Sequence, residues 1–142
     1  MKLFAYTIIM LASIVSAEII CDEKRGIATD TESNLIWQDD IHVLTSRNNW
    51  QGAIDYCEKL SLAGYNDWTL PNVEILRALY NKKTYLKQQA SYYHSFWAGS
   101  IDNTRDGNAF YVNFADEGIG SAGTDSNYFV RCVRSNTGAN IR

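Results

Sequence analysis

The sequence is 142 residues long, carries a formal net charge of −3, and has 20% charged residues. A mildly acidic chain gains nothing from binding other polyanions, so nucleic acids and polyanionic sugars are disfavoured as ligands. The length fits one domain with a substantial core. Four Trp and nine Tyr residues are typical of a β-rich domain with aromatic packing or an aromatic binding surface.

The N-terminus has the pattern of a secretory signal peptide. Lys2 precedes an apolar run from Leu3 to Val15, and small residues follow it up to Ala17. We predict cleavage after Ala17, which removes residues 1–17 and leaves a periplasmic, cell-surface or secreted protein without a membrane span. An uncleaved anchor is the alternative, but the run is shorter than the ~20 residues that cross a bilayer.

Three cysteines, Cys21, Cys57 and Cys132, follow the signal. Disulfides form by default in exported proteins, and an odd number of cysteines leaves one thiol over. We predict a Cys57–Cys132 bridge that joins a helix to the last strand, with Cys21 free or linked to another chain. Ile20 is too large for the residue that precedes a lipidated cysteine, so lipidation of Cys21 is not expected.

Short strands and one helix are predicted in the first part of the mature chain. The strands fall near residues 19–20 and 27–28 and at residues 35–38, whereas residues 39–49 are polar and loop-like. Residues 50–62 carry an apolar stripe at helical spacing. Asn48 or Asn49 can cap the start of this helix, and Gly64 can end it in a left-handed conformation.

A second helix is predicted after Pro71. Asn72 is its N-cap, and apolar residues at helical spacing form its buried side: Ile75, Leu76, Leu79 and Tyr80. The pattern then changes to alternating strands at residues 95–100, 110–114 and 128–134. Polar turns separate them at 102–108 and 116–118, a Gly- and Ser-rich loop covers 118–127, and residues 135–142 form a polar tail. This order predicts an α+β domain.

Five short motifs occur in a fixed order along the chain. They are LIW at 35–37, a helix from Trp50 to Tyr56-Cys57, DWTLP at 67–71 followed by Glu74 and Leu76, FWAGS at 96–100, and VRCVR at 130–134. In this order and spacing they resemble the Lcl C-terminal domain family, named for a bacterial collagen-like adhesin. The resemblance covers residues 29–134. The family usually has other residues at Asn34, Thr69, Ala98 and Gly99, which affects surface details more than the fold.

The resemblance implies a C-type-lectin-like fold: two helices packed on a twisted antiparallel sheet, with the helix cysteine bridged to the last strand. It also implies a non-catalytic module at the cell surface or in the periplasm. In the adhesin this domain is linked to trimer formation and to sulfated glycosaminoglycans. That ligand is not expected here, because this acidic chain has no basic patch and no Gly-X-Y segment.

The predicted binding surface is formed by the loops between residues 101 and 127, since loops on a rigid sheet commonly carry function. The predicted ligand-binding residues are Trp97, Asp102, Arg105, Asp106 and Asn108. A plain hairpin turn is the alternative at 102–108, because Asp-Gly between two strands is typical of one. The spacing is not that of an EF-hand, and the proline-containing triplets of calcium-dependent lectins are absent, so no metal is predicted.

Aromatic side chains offer a second route to binding. Tyr92, Tyr93, Trp97 and Tyr111 could stack on a sugar or a partner, although some of them must belong to the core. Trp68 is predicted to be a core residue whose indole N–H donates to a backbone carbonyl. The acidic residues that flank the Gly/Ser loop are predicted to form either a binding rim or a solvated rim.

Nothing in the sequence assembles a catalytic set. No serine or cysteine near His42 or His94 stands in a known nucleophile motif, and the two histidines share no zinc-ligand spacing with the cysteines. The pairs Asp39-Asp40 and Asp116-Glu117 are typical of solvated loops. A formylglycine-generating-oxidase-like activity would need a reactive cysteine pair, which the predicted bridge removes. We therefore predict no enzyme and no cofactor.

Three interpretations from different classes follow. The first is an exported, non-catalytic binding module for a protein or glycan. The alternative is a structural subunit of a surface assembly, with a homo-oligomer crosslinked through Cys21. An oxidase is the third.

Overall fold

Two β-sheets and two α-helices make up the fold in the computed structural model, which describes residues 2–3, 8–9, 18–91 and 93–142. The predicted cleavage after Ala17 and most of the predicted signal peptide lie outside the described residues, as does Tyr92. Within the described ranges, no helix has the length and apolar character needed to cross a membrane.

The sheets divide the strands between them. Sheet A pairs four antiparallel strands in the order β1 (Ile19–Asp22), β2 (Ile27–Asp30), β3 (Leu35–Gln38) and β9 (Val133–Ser135). Sheet B has the order β4 (Arg47–Asn48), β8 (Tyr128–Phe129), β5 (Ser95–Ile101), β6 (Asn108–Asn113) and β7 (Ile119–Gly123). The predicted α+β class is confirmed. The prediction of one antiparallel sheet is wrong, since there are two and β5 pairs with β8 in parallel.

Both helices begin where an asparagine caps them. Helix α1 (Trp50–Lys59) starts after Asn49, whose Oδ1 accepts the N–H of Gly52 at 2.8 Å. Helix α2 (Val73–Tyr80) starts after Asn72, whose Oδ1 accepts the N–H of Ile75 at 2.9 Å. Each cap satisfies a first-turn donor that has no partner within the helix. Short 3-10 helices also form at Ile41–Leu44 and Lys83–Tyr85.

Helix α1 ends earlier than predicted. Leu60 already has extended backbone angles (φ −66°, ψ 126°), so the helix stops at Lys59 rather than at residue 62. Gly64 does adopt a left-handed conformation, with φ of +80°. It does so in the tight turn between Leu62 and Tyr65, which form an isolated bridge, and not as the helix terminator.

Two strand predictions in the second half need correction. The Gly/Ser segment predicted as a loop contains β7, because backbone pairing with β6 compensates for its low strand propensity. The single strand predicted at 128–134 is two strands, β8 and β9, which belong to different sheets. Residues 130–132 carry the chain from sheet B to sheet A.

The core has two parts, one on each face of sheet B. Phe96 and Trp97 are neighbours in β5, point to opposite faces, and are both fully buried. Phe96 packs with Leu76 and Leu79 of α2. Trp97 packs in a second cluster that contains Ala53 and Cys57 of α1, Trp68, Leu70, Ala109, Val130 and Cys132.

The predicted disulfide is present. Cys57 of α1 is bonded to Cys132, directly before β9, with their Cα atoms 5.5 Å apart. The two residues are 75 positions apart in sequence, so the bridge closes a loop that contains α2 and most of sheet B. A loop of this length is worth roughly 4 kcal/mol in the chain-entropy description.

The DWTLP motif ties this region to β9. The carboxylate of Asp67 accepts from Nε and Nη2 of Arg134 at 2.6 and 3.1 Å, and this ion pair lowers the pKa of Asp67. Trp68 is buried and its indole N–H donates to the carbonyl of Tyr65 at 3.2 Å, as predicted. Thr69 exchanges backbone hydrogen bonds with Val133 in both directions at 2.9 Å.

A buried ion pair lies at the crossing between the sheets. Arg131 has no exposed surface; its Nη1 donates to Asp39 Oδ1 at 3.2 Å and to the Gln38 carbonyl at 3.0 Å, and its Nη2 donates to the Gln88 carbonyl at 2.7 Å. Asp39 also accepts the backbone N–H groups of Lys87 and Gln88. The prediction that Asp39 sits in a solvated loop is therefore wrong, because this carboxylate neutralises a buried guanidinium.

We expect the substitution Asp39→Asn to lower the free energy of unfolding by about 3–5 kcal/mol, because it leaves the Arg131 charge buried without a counter-charge. Urea denaturation followed by circular dichroism measures this loss. Glu23→Gln is the matched control, since Glu23 forms an exposed ion pair with Lys87 at 3.2 Å. That change should cost no more than about 1 kcal/mol. Equal losses in the two variants would contradict a special role for the buried pair.

Candidate functional site

Trp97 lies in the core and not on the predicted binding surface. Its side chain is fully buried, its Nε1 donates to the Asn48 carbonyl at 2.9 Å, and its ring packs edge-on against Tyr128 at 4.8 Å. The prediction that Trp97 binds a ligand is wrong, because the face of β5 that carries it is covered by α1.

Asp102 and Asn108 are occupied in holding the β5–β6 hairpin. Asp102 is buried, and its Oδ1 accepts from the backbone N–H and the hydroxyl of Thr104 at 3.0 and 2.6 Å. Asn108 donates to the hydroxyl of Ser121 in β7 at 3.0 Å. Hydrogen bonds from the Ser121 and Thr104 hydroxyls lower the pKa of Asp102. These contacts fix the hairpin against β7.

Arg105 and Asp106 lie exposed at the tip of this hairpin, which has Gly107 at φ +74° as a turn requires. Among the described residues, no group of three or more His, Cys, Asp and Glu side chains is placed to hold a metal ion. The tip therefore presents two exposed charged side chains, Arg105 and Asp106.

A shallow cleft opens at the other end of sheet B, with a volume of about 250 Å³. It lies where β5 begins and β6 ends, away from the hairpin tip. The described residues that line it are Ser95, Tyr111, Asn113, Asp116, Gly118, Ile119, Gly120 and Tyr128. None of the five predicted ligand-binding residues is among them.

Strand register explains why these residues meet. Ser95 pairs with Asn113, and Tyr111 pairs with Trp97 on one side and with Gly120 on the other. Directly paired residues point to the same face of a sheet, so all five share one face. Helix α1 covers the part of that face around Trp97, and the part around Ser95 and Asn113 is left for the cleft.

Two tyrosines form the aromatic part of the cleft. The rings of Tyr111 and Tyr128 stack at 4.6 Å with an interplanar angle of 27°. Burial and the hydrogen-bonded hydroxyl of Tyr111 raise the pKa of Tyr128, so this phenol remains protonated at neutral pH. Gly120 makes room for the pair, because a Cβ there would lie 2.2 Å from Cζ of Tyr111.

The polar part of the cleft is held in place by local hydrogen bonds. The amide of Asn113 donates to the Ser95 hydroxyl at 3.1 Å and accepts the N–H of Ala115 at 2.7 Å. Asp116 Oδ1 accepts the N–H of Gly118 at 2.8 Å. An amide carries two N–H donors and a carboxylate two oxygens, so one donor and one acceptor remain for a ligand.

The family model for the Lcl C-terminal domain matches residues 26–134. The chain belongs to this family. No curated protein matches the sequence significantly. The match covers both helices and every residue of the cleft.

Sequence reasoning on this Lcl C-terminal domain identified Tyr111 as a stacking candidate but missed Tyr128, Asn113 and Ser95. A usable signal was present. Tyr111 and Asn113 are two positions apart in a predicted strand, which places them on one face, and Gly118 and Gly120 repeat at the same spacing. The low strand propensity of Gly and Ser predicts a loop for the segment with the glycines, and this prediction hides the matching spacing.

Cys21 is free and exposed, but it is not an activated thiol. Its Sγ donates to the Tyr85 carbonyl at 3.1 Å and lies 3.8 Å from Asp39 Oδ2. Partial burial of the thiol and the negative charge of Asp39 raise its pKa. The thiolate, which is the nucleophile, is therefore disfavoured at neutral pH.

We expect Gly120→Ala to lower the free energy of unfolding by about 1–3 kcal/mol, because the new methyl group must displace the stacked ring of Tyr111. In a Tyr111→Ala background the same change should cost almost nothing, since the clash is gone. Urea denaturation of the four proteins in this double-mutant cycle measures the difference. Equal costs in both backgrounds would contradict the proposed packing of the ring over β7.

We also expect Cys21 to react with iodoacetamide more slowly in the folded protein than in the urea-unfolded protein at the same pH. A raised pKa means that the unfolded thiol ionises first. The free energy of unfolding should therefore fall as pH rises from the unfolded-state pKa toward the folded-state pKa. The iodoacetamide reaction rates of the folded and the unfolded protein, followed by mass spectrometry, test the expected difference in rate. A faster reaction in the folded protein would contradict the assignment.

Proposed function

We propose that this Lcl C-terminal domain is an exported, non-catalytic binding module whose ligand, a protein or a glycan, occupies the cleft beside Tyr111 and Tyr128. The observation that carries the proposal is the stacked tyrosine pair next to a fixed amide and a fixed carboxylate. Aromatic surface beside a few positioned polar groups is the usual make-up of a binding site. Rigid tyrosines bind at low entropic cost because they have few rotatable bonds.

Two observations support export. The N-terminal residues have the composition of a signal peptide, and the disulfide between Cys57 and Cys132 is of the kind that persists in oxidising compartments. We further propose that the fold is C-type-lectin-like. Its support is the bridge from α1 to the chain just before the last strand, together with two helices packed on strands, which is the arrangement the resemblance implies.

The positions of the reactive residue types support a non-catalytic role. His94 packs its ring against Phe129 at 4.4 Å, and its Nδ1 contacts Ser91. Cys57 and Cys132 are bonded to each other, so neither is available for oxidase chemistry. Asp39 neutralises Arg131. These groups are engaged in structure rather than gathered in the cleft.

The alternative of an assembly crosslinked through Cys21 has weaker support. The thiol is exposed, as a crosslink requires, but its hydrogen bond to Tyr85 and its raised pKa oppose thiolate formation. We therefore favour the binding module.

Binding to an immobilised glycan panel and an immobilised peptide library tests the proposal. We expect at least one ligand whose affinity falls about tenfold in Tyr128→Ala, because stacking on the pair is lost. Tyr128→Phe keeps the ring and should retain more of the affinity than Tyr128→Ala. Tyr85→Ala is the matched control, since Tyr85 is 66% exposed and lies outside the cleft.

Circular dichroism confirms that each variant is folded before it is compared. If ligands bind but Tyr128→Ala and Tyr85→Ala behave alike, the cleft is not the binding site. If no glycan and no peptide binds the wild-type protein, the proposal of a binding module fails.

A further inference from the structure

We infer that the ligand of the cleft is an uncharged sugar chain, an inference that rests on the proposed function and adds the chemical class of the ligand. Three features of the cleft lead to it: its aromatic surface, its mixture of donors and acceptors, and its charge.

The aromatic surface fits a sugar ring. A pyranose presents a flat face of C–H groups and a rim of hydroxyl groups. Tyr111 and Tyr128 present the complementary combination, an apolar ring body and a polar hydroxyl tip. Their stack is held from below, because Trp97 packs edge-on against Tyr128 and Gly120 lies under Tyr111. A platform held in this way needs little reorganisation when a ring binds.

The polar groups also fit a sugar. Each sugar hydroxyl both donates and accepts, so it is best met by groups of both kinds. The cleft supplies the remaining N–H of Asn113 as a donor, the second oxygen of Asp116 as an acceptor, and tyrosine hydroxyls that can do either. These groups are spread around the tyrosines rather than gathered at one point.

The charge of the cleft disfavours sulfated, phosphorylated or uronic-acid sugars. Its described lining contains one carboxylate, Asp116, and no Lys or Arg. Two arginines lie outside this lining: Arg77 pairs with the carboxylate of Glu117 at 3.3 Å, and Arg47 donates to the Asn127 carbonyl at 2.9 Å and packs over the ring of Phe129. An anionic ligand in the cleft would therefore meet the like charge of Asp116, with no Lys or Arg in the described lining to pair with it.

A peptide fits less well. Peptide recognition depends on an apolar or aromatic anchor that fills a desolvated pocket. The described lining of this cleft is hydroxyl, amide, carboxylate and backbone around two tyrosines, with Ile119 as its only aliphatic side chain. The cleft is shallow and offers no enclosed apolar pocket for such an anchor.

The test uses isothermal titration calorimetry of the purified mature protein with single saccharides. The uncharged probes are cellohexaose, laminarihexaose, mannohexaose and chitohexaose, and the anionic probes are heparin and chondroitin sulfate hexasaccharides. We expect an uncharged probe to bind and to lose about tenfold in affinity in Tyr128→Ala. Its Kd should not change when the NaCl concentration is raised from about 50 to about 500 mM.

Charge reversal at the cleft separates the two classes of sugar. Asp116→Arg should lower the affinity for an uncharged probe about two- to tenfold, because one hydrogen-bond acceptor is lost. The same substitution should raise the affinity for an anionic probe. Asp106→Arg is the matched control, because Asp106 is also an exposed aspartate but lies at the opposite end of the sheet, and this change should alter neither affinity. Asp116→Asn retains the hydrogen bond to Gly118 and checks that the loop remains folded.

Each outcome has a distinct meaning. Binding of an anionic probe that is lost in Tyr128→Ala, weakened by salt and tightened by Asp116→Arg would overturn the ligand class and leave the binding module intact. Binding of peptides alone at the same tyrosines would also overturn the ligand class and leave the binding module intact. An uncharged probe whose affinity Tyr128→Ala leaves unchanged would overturn the inference and the location of the site together.

Discussion

The ion pair between Arg131 and Asp39 is the interaction on which the arrangement of the two sheets depends. It lies where the chain leaves sheet B and enters sheet A, and it also holds the segment after α2 through the carbonyl of Gln88. A guanidinium with no exposed surface tolerates only positions in which its partners are present. The Gln38 side chain adds to this constraint by accepting the N–H of Cys132. The disulfide lies beside this crossing, because Cys132 directly follows Arg131.

Much of the fold could be predicted from local chemistry. Asn49 and Asn72 are good caps, apolar spacing marks both helices, and the parity of the cysteines left one bridge and one free thiol. The errors arose where long-range pairing decides the structure. Strand β7 reads as a loop because Gly and Ser have low strand propensity, and only its register with β6 makes it a strand. The break between β8 and β9 depends on a buried arginine, which no local pattern reveals.

The candidate site was harder to predict, because burial had to be assigned one ring at a time. Trp97 and Tyr111 pair directly across β5 and β6 and look equally suited to stacking in the sequence. Helix α1 covers the first and leaves the second at the edge of the cleft. The sequence predicts that the polar residues of the hairpin bind a ligand. In the structure Asp102 instead accepts the backbone N–H of Thr104, and Asn108 bonds to Ser121 of β7. Tyr128 could be predicted as a site residue only from the pairing of β8 with β5, which brings it next to Tyr111.

The position of the disulfide has a further consequence for cleavage of the chain by proteases. Residues 103–107 at the hairpin tip are exposed and lie inside the loop that the bridge closes. A cut at this tip would leave both fragments covalently joined, with α1 still attached to the strand that completes sheet A. The same geometry makes the tip a tolerant place for inserted segments, because neither the ion pair nor the cleft depends on its exposed residues. Length variation among relatives is therefore expected to concentrate there.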